Sequence, residues 1–282
     1  MSVGLVMMVK DEADWIGPTL QTVLPLIDHW TITDTGSIDD TEAVVRGILQ
    51  DVPGVYRNAV WADWATNRSD ALVAAKGTAE WLLTLDADVV VDAHPLLATF
   101  LDEQAAANEV DAWQVQLVEG DIRWRLPWLM RGELDWAYRS AAHEYLDGGD
   151  RRFRPLDGLT LHHRRNVVDA EARQARLASY VELLAPALAQ GDPRATFYTA
   201  EALARMGHTE AAILFYHRRA AMDAFPEEAW YAAFQAAKLA ENVDGLIAVH
   251  KMRPWRPEPL LEAARIVAKT EHNDVLWVER IP

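Results

Sequence analysis

Two carboxylates one residue apart, Asp86 and Asp88, follow the apolar run Trp81-Leu82-Leu83 and lead into Val89-Val90-Val91. The apolar run reads as a buried strand, and a bare carboxylate inside a sheet is expensive to desolvate. The pair is therefore expected at the carboxyl end of that strand, where open α/β sheets bind ligands. On an extended chain, residues i and i+2 point the same way. Such a pair can hold a divalent cation through hard oxygen ligands and leave positions for a diphosphate. Asp-x-Asp is also common as a plain acidic turn, so the assignment needs support from elsewhere in the chain.

Further polar groups stand where apolar runs end. Lys10-Asp11-Glu12 follows Val3–Val9. Asp34-Thr35-Gly36-Ser37-Ile38-Asp39-Asp40-Thr41 follows Trp30-Thr31-Ile32-Thr33; Gly36 permits a tight turn, and Ser37 with Asp40 resembles a capping box. Asn67-Arg68 stands just before a helical stretch, and His143-Glu144 and His162-His163 come later. A histidine pair taken alone is more often surface or core than ligand. Trp113, Trp124, Trp128 and Trp136 fall close together, either as core or as a platform for a sugar or a base. Residues 151–165 hold Arg151, Arg152, Arg154, Arg164 and Arg165 against the single acid Asp157. That patch suits an anionic ligand, or is a solvated loop paired with nearby acids.

The elements that position these groups alternate. Strands are expected at Val3–Val9, Trp30–Thr33, Val55–Val60 and Leu83 onward. Helices are expected at Trp15–Leu26 (Pro18 near the first turn), Thr41–Leu49 and Ser69–Lys76. That alternation predicts a mainly parallel α/β sheet. Past Asp92 the pattern changes to a helix over Leu96–Ala107 and an antiparallel pair, Ala112–Val118 and Ile122–Leu126, around Glu119-Gly120-Asp121. From about Asp169 the chain reads as helical to near its end. Tyr198-Thr-Ala-Glu-Ala-Leu-Ala-Arg-Met-Gly repeats at Tyr231-Ala-Ala-Phe-Gln-Ala-Ala-Lys-Leu-Ala, and in register Ile213 meets Leu246 and His217 meets His250. This offset, near ~34 residues, marks tetratricopeptide-like helical hairpins, with Pro226 and Pro257 at helix starts.

Composition sets outer bounds. The chain has 282 residues, half of them hydrophobic, enough for one large domain or two smaller ones. Cysteine is absent, which removes disulfides, thiolate metal sites and a cysteine nucleophile, and fits a reducing compartment. No apolar run approaches the ~20 residues of a membrane span, and the amino terminus lacks a signal-peptide pattern, so a cytoplasmic protein without a membrane partner is expected. A formal charge of −16 argues against broad non-specific nucleic-acid binding.

Four pieces together resemble the family-2 glycosyltransferases of GT-A fold: Met7-Met8-Val9-Lys10-Asp11-Glu12, Asp34-Thr35-Gly36-Ser37-x-Asp39, Asn67-Arg68-x-x-Ala71-Leu72 and Leu85-Asp86-Ala87-Asp88. The tail is similar to tetratricopeptide helices fused to such domains. The resemblance implies a GT-A (Rossmann-like mixed-sheet) domain over 1–165 and an all-α helical-hairpin repeat domain over 166–282. It implies inversion at the anomeric carbon, a divalent metal (manganese or magnesium) and a nucleotide-sugar donor, with UDP the expected nucleotide. Donor contacts would come from Val9, Lys10, Glu12, Asp34, Gly36, Ser37, Asn67, Arg68, Asp86 and Ala87, with Asp34 by the uracil or ribose. The metal would be held by Asp88 and completed by His162 or His163. A single inverting displacement needs a base on the acceptor side; Glu144 is expected in that role, with His143 and Asp135 as competitors.

The leading expectation is transfer to a macromolecular or glycan acceptor, with oligomers open through the helical repeats. A narrower alternative makes modified phage DNA the acceptor, with the tryptophans and arginines around a flipped base. A third is a scaffold whose nucleotide site has decayed; the intact Asp34, Asp86 and Asp88 favour the enzyme.

Overall fold

The structure, a computed structural model, describes residues 2–94, 110–164 and 170–270. The expected helix over Leu96–Ala107, Arg165 and the last residues lie outside the described residues. Two compact units form, Met1–Val167 and Val168–Pro282.

In the first unit, β1 (Val3–Val9), β2 (His29–Asp34), β3 (Gly54–Asn58) and β4 (Trp81–Leu85) run parallel in the order β3-β2-β1-β4. β1 and β4 read as nearly continuous apolar runs because helices cover both faces of a parallel sheet. The pleat divides their side chains. Leu5, Met7, Leu83 and Leu85 pack with Ile16, Leu20 and Val23 of α1 (Ile16–Val23). Val6 and Leu82 face Ala71, Leu72 and Ala75 of α3 (Trp64–Ala75). Between them in sequence, α2 (Thr41–Ile48) returns the chain from β2 to β3.

The sheet then changes character. β7 (Ile122–Arg131) pairs antiparallel with β4 and with β6 (Ala112–Glu119). Gly120, at φ +57°, sits in the tight turn between β6 and β7, a backbone state glycine adopts without penalty. β10 (Phe153–His163) lies parallel to β6, and β5 (Val89–Ala93) closes the edge antiparallel to β10. A separate ribbon joins β8 (Ala137–Arg139) and β9 (Tyr145–Asp147).

Three local expectations are corrected. The stretch Leu83–Val91 is not one extended segment: β4 stops at Leu85, and the backbone N–H of Val89 donates to the Asp86 carbonyl across a turn before β5 begins. Asn67 and Arg68 do not precede their helix but lie within its first turns. The start is set by Asp63, whose side chain caps the N–H of Thr66 at 2.8 Å. Ser37 and Asp40 form no capping box, because the Ser37 hydroxyl is taken by the N–H of Asp11 at 2.9 Å, and Asp40 makes no side-chain cap.

The second unit is a run of helices: α4 (Ala170–Ala189), α5 (Pro193–Arg205), α6 (Thr209–Ala220), α7 (Pro226–Leu239), α8 (Val243–Met252) and α9 (Glu258–Thr270). The 33-residue offset links α5 to α7, each opened by proline. Phe197, Tyr216 and Ala232 share one core, and Trp230, Leu246 and Ile266 another. Among the described residues no helix is long and apolar enough to cross a membrane.

Candidate functional site

The loops after β1 and β2 are laced together. The N–H of Asp11 donates to Ser37, that of Ile38 to the Asp11 carboxylate at 2.8 Å, that of Ala13 to Asp39 at 3.0 Å, and that of Glu12 to Thr41 at 2.8 Å. Asp11 adopts φ +54°, a state Asp and Asn tolerate better than most residues. Gly36, at φ +113°, lets the second loop turn. The carbonyl of Val9, itself buried, accepts from the N–H of Thr35 at 3.0 Å.

Asp34 ends β2 with both oxygens engaged. One accepts from the N–H groups of Gly36 (2.8 Å) and Ser37 (2.7 Å); the other accepts from the Tyr56 hydroxyl at 2.5 Å. Burial works against its charge, but Tyr56 and the two backbone donors outweigh it and hold the carboxyl below its ordinary range. Beside it lies a cavity of about 310 Å³ lined by Val9, Lys10, Glu12 and the indoles of Trp61 and Trp64, whose ring centroids are 5.2 Å apart. Sequence reasoning missed these two tryptophans; the available signal was Trp-x-x-Trp just past the third strand.

Asn67 faces inward. Its amide oxygen accepts from the N–H of Ala62 and its Nδ2 donates to the Val60 carbonyl, so it shapes the loop that carries Trp61. Ala87 is buried, and its carbonyl accepts from Thr19 of α1 at 2.6 Å, which anchors the Asp86–Asp88 turn to the helix below.

The two acids of that turn take different partners. Asp86 accepts from Arg68 Nη2 at 2.6 Å. Asp88 Oδ2 lies 3.0 Å from His163 Nε2, at the end of β10. The hydrogen bond to Asp88 raises the His163 pKa; burial opposes this, and Asp88 and Glu119 add to the rise. Among the described residues His163 Nδ1 is buried without a hydrogen-bond partner, 3.9 Å from Glu119 Oε1. His162 precedes it on the same strand, so its side chain leaves by the opposite face. Glu12 stands near Asp88 and Asp86. Burial, then the charges of Asp88 and Asp86, push its carboxyl up to about 7.

Arg68 is held from both sides, its Nε donating to Glu144 Oε1 at 2.6 Å while Nη2 reaches Asp86. Those two carboxylates keep the guanidinium charged despite burial. Arg68, Asp86, Glu144, Glu119 and His163 share one cavity of about 290 Å³, whose remaining wall includes Leu117, Trp124, Leu126 and Leu146. His143 adopts φ +52° just before Glu144. Asp135 stands apart, exposed and paired with Lys76 at 2.5 Å, in another cavity with Arg139 and Asp147.

Three arginines of the cluster make internal contacts. Arg151 lies over Trp136, Arg152 pairs with Asp111, and Arg164 lies over Trp15. Trp113, Trp128 and Trp136 are core, and Trp124 is half-buried on the cavity wall.

A parallel half-sheet with acids at its carboxyl ends, joined to a mixed half that supplies a late histidine, is the GT-A architecture of glycosyltransferases. Residues 5–156 match the model of glycosyl transferase family 2, and the chain belongs to that family. Over 154 residues it is 31% identical to a TPR repeat-containing protein of Synechococcus elongatus, covering 51% of this chain and 35% of the relative. The chain thus spans about a third of that curated relative's length. Among solved structures, TarS 1–349 of S. aureus aligns over 91% of this chain and 92% of its own at 13% identity, with a TM-score of 0.51. A longer TarS structure aligns over 87% of this chain and 54% of its own at 14% identity, also with a TM-score of 0.51. At these identities the likeness is one of fold.

Proposed function

We propose that the chain is a metal-dependent, inverting glycosyltransferase that moves a sugar from a nucleoside diphosphate, UDP in the first instance, to an acceptor hydroxyl. The observation that carries this reading is the convergence of Asp86, Glu144 and His163 on one cavity from three separate stretches of sequence.

In this reading Asp34 and Tyr56 meet the uracil or ribose, and Lys10, Glu12 and Ser37 bound the nucleotide. Among the described residues no three His, Asp or Glu side chains form a ready ligand set. The donors present still fit a divalent cation held jointly with a diphosphate. Asp88 offers a carboxylate oxygen and His163 an imidazole nitrogen 3.0 Å away. Glu119, near the orphaned Nδ1 of the same ring, supplies the outer carboxylate that orients a metal-bound histidine. Bound there, manganese or magnesium would neutralise charge growing on the leaving diphosphate. Arg68 fixes Asp86 and Glu144 relative to each other. Glu144 takes the acceptor proton as the hydroxyl oxygen attacks the face opposite the diphosphate. In this reading the donor site belongs to residues 1–165.

Calorimetry of UDP with and without Mn²⁺, together with a donor panel scored for sugar release, tests this. Metal-dependent UDP binding and cleavage of one UDP-sugar are expected. Equal UDP affinity with and without the cation would remove the metal from the proposal, and no binding of any nucleotide would remove the enzyme.

A further inference from the structure

The cavity beside Glu144 is lined by unlike groups. Arg68 joins Asp86 and Glu144 by hydrogen bonds, and Glu119, Tyr138 and His163 also line it. The β6–β7 hairpin and β9 add hydrocarbon and indole. Trp124 and Leu126 share one face of β7, Leu117 stands directly across from Trp124 on β6, and Leu146 closes the side from β9. Trp124 is half-buried and Leu126 is 40% exposed, so this wall is open to an incoming group. Leu117, Leu126 and Leu146 offer no side-chain donor or acceptor.

We infer that the acceptor is a hydroxyl carried on an apolar skeleton, an aryl or alkyl alcohol, seated with its carbon body against Trp124 and Leu126 and its hydroxyl toward Glu144. This rests on the glycosyltransferase reading above and narrows its acceptor. A sugar ring seated here would turn its other hydroxyls toward leucines, and each hydroxyl stripped of water without a partner costs about tenfold in affinity. An aromatic ring or short chain loses nothing by the same contact and gains from the burial. A volume of about 290 Å³ fits one such group rather than an oligosaccharide. In the transfer, the alcohol oxygen bonds to the anomeric carbon as the bond from that carbon to the diphosphate oxygen breaks. The hydroxyl proton passes to Glu144, and the electron pair of the broken bond leaves on the nucleoside diphosphate.

The test uses the full chain and two readouts. Saturation-transfer NMR titrations with benzyl alcohol, methyl glucoside and a single-stranded oligodeoxynucleotide need no donor. Release of UDP from the donor panel is then followed with each compound. Saturable binding of benzyl alcohol is expected, weakened at least tenfold in Leu126→Asn and Trp124→Ala, with UDP affinity unchanged in both. Benzyl alcohol should speed UDP release at least tenfold over the other two. Benzyl alcohol binding that is absent, or indifferent to both substitutions, overturns the inference; so does faster release with methyl glucoside or the oligonucleotide. If UDP fails to bind while benzyl alcohol binds in this pattern, the donor reading has failed and the apolar seat stands.

Discussion

Arg68 Nε and Glu144 Oε1 lie 2.6 Å apart although 76 residues separate them in sequence. The same guanidinium holds Asp86, so one largely buried cation ties the proposed base to the turn that carries Asp86 and Asp88. Removing it leaves two carboxylates, 34% and 16% exposed, without their shared cation. Arg68→Met should cost about 1–3 kcal/mol, the range for a polar group left without its partner. Restoring part of that loss in Arg68→Met/Glu144→Gln would show that the cost is the stranded charge. Urea unfolding of the single and double variants measures both; additive losses would mean that the pair is not coupled.

The contact between Asp34 and Tyr56 makes a prediction about acid. The Asp34 carboxyl sits below its ordinary range when folded, so its contribution to stability is present above the unfolded value near 3.8 and is lost as pH falls through the folded value. Tyr56→Phe removes one of its donors, which should bring the folded and unfolded values closer. At neutral pH the variant should lose about 1.5–3 kcal/mol, the usual worth of a hydrogen bond to a charged group. The loss should shrink toward pH 3, where Asp34 of the unfolded chain is increasingly protonated. Unfolding at pH 7 and pH 3 checks this; an equal loss at both would point to packing of the ring instead.

Glu12 carries the opposite sign. Its folded value of about 7 lies above the ordinary 4.5, so folding is disfavoured as the group ionises between those values, and the penalty is complete above 7. Glu12→Gln removes the charge and should gain thermal stability over the parent at pH 8 but not at pH 4. If the parent is the more stable of the two at pH 8, burial of Glu12 beside Asp88 and Asp86 does not penalise its charge.

Much of this was legible in the chain, and the exceptions share a cause. Strand positions and the order of acids at strand ends follow from local apolar runs, so β1, β2 and β4 fell where Val3–Val9, Trp30–Thr33 and Trp81-Leu82-Leu83 put them. The repeat offset likewise anticipated the run of helices. What escaped depended on partners distant in sequence. Asp86 and Asp88 were read as one pair pointing together, but the turn sends one to Arg68 and the other to His163. Ser37 was read as a local cap, yet its oxygen is claimed by Asp11, 26 residues earlier. Two misses had a local signal: the Trp61-x-x-Trp64 pattern just past β3, and the helix start, where Asp63 sits three residues before Thr66 as an ordinary N-cap.

The alternation of β10 separates its two histidines. His163→Ala should abolish the metal-dependent part of UDP affinity, as Asp88→Ala should. His162→Ala should keep it, because its ring leaves the strand by the other face. Calorimetry with and without Mn²⁺ reads all three variants. A loss in His162→Ala matching that in His163→Ala would contradict the assignment.

The last prediction concerns the base. An inverting transfer needs a carboxylate or imidazole within reach of the acceptor hydroxyl, and removing a positioned base costs ~10²–10⁴-fold in rate. In the proposed reading Asp88 and Asp86 serve the donor, and Asp135 is exposed, bound to Lys76 and in another cavity. Glu144 lines the cavity with one oxygen committed to Arg68. That contact fixes the carboxylate's position and leaves Oε2 for the proton. Glu144→Gln should therefore keep UDP affinity and lose turnover by about that factor, whereas Asp135→Asn should retain near-parental turnover. Arg68→Lys, which preserves a charge but not the two-sided grip, should lower kcat more than it raises the KM for donor. Single-turnover rates beside UDP titrations separate these effects. If Glu144→Gln turns over normally while His143→Ala does not, the proton goes to the imidazole, and Arg68 then serves stability alone.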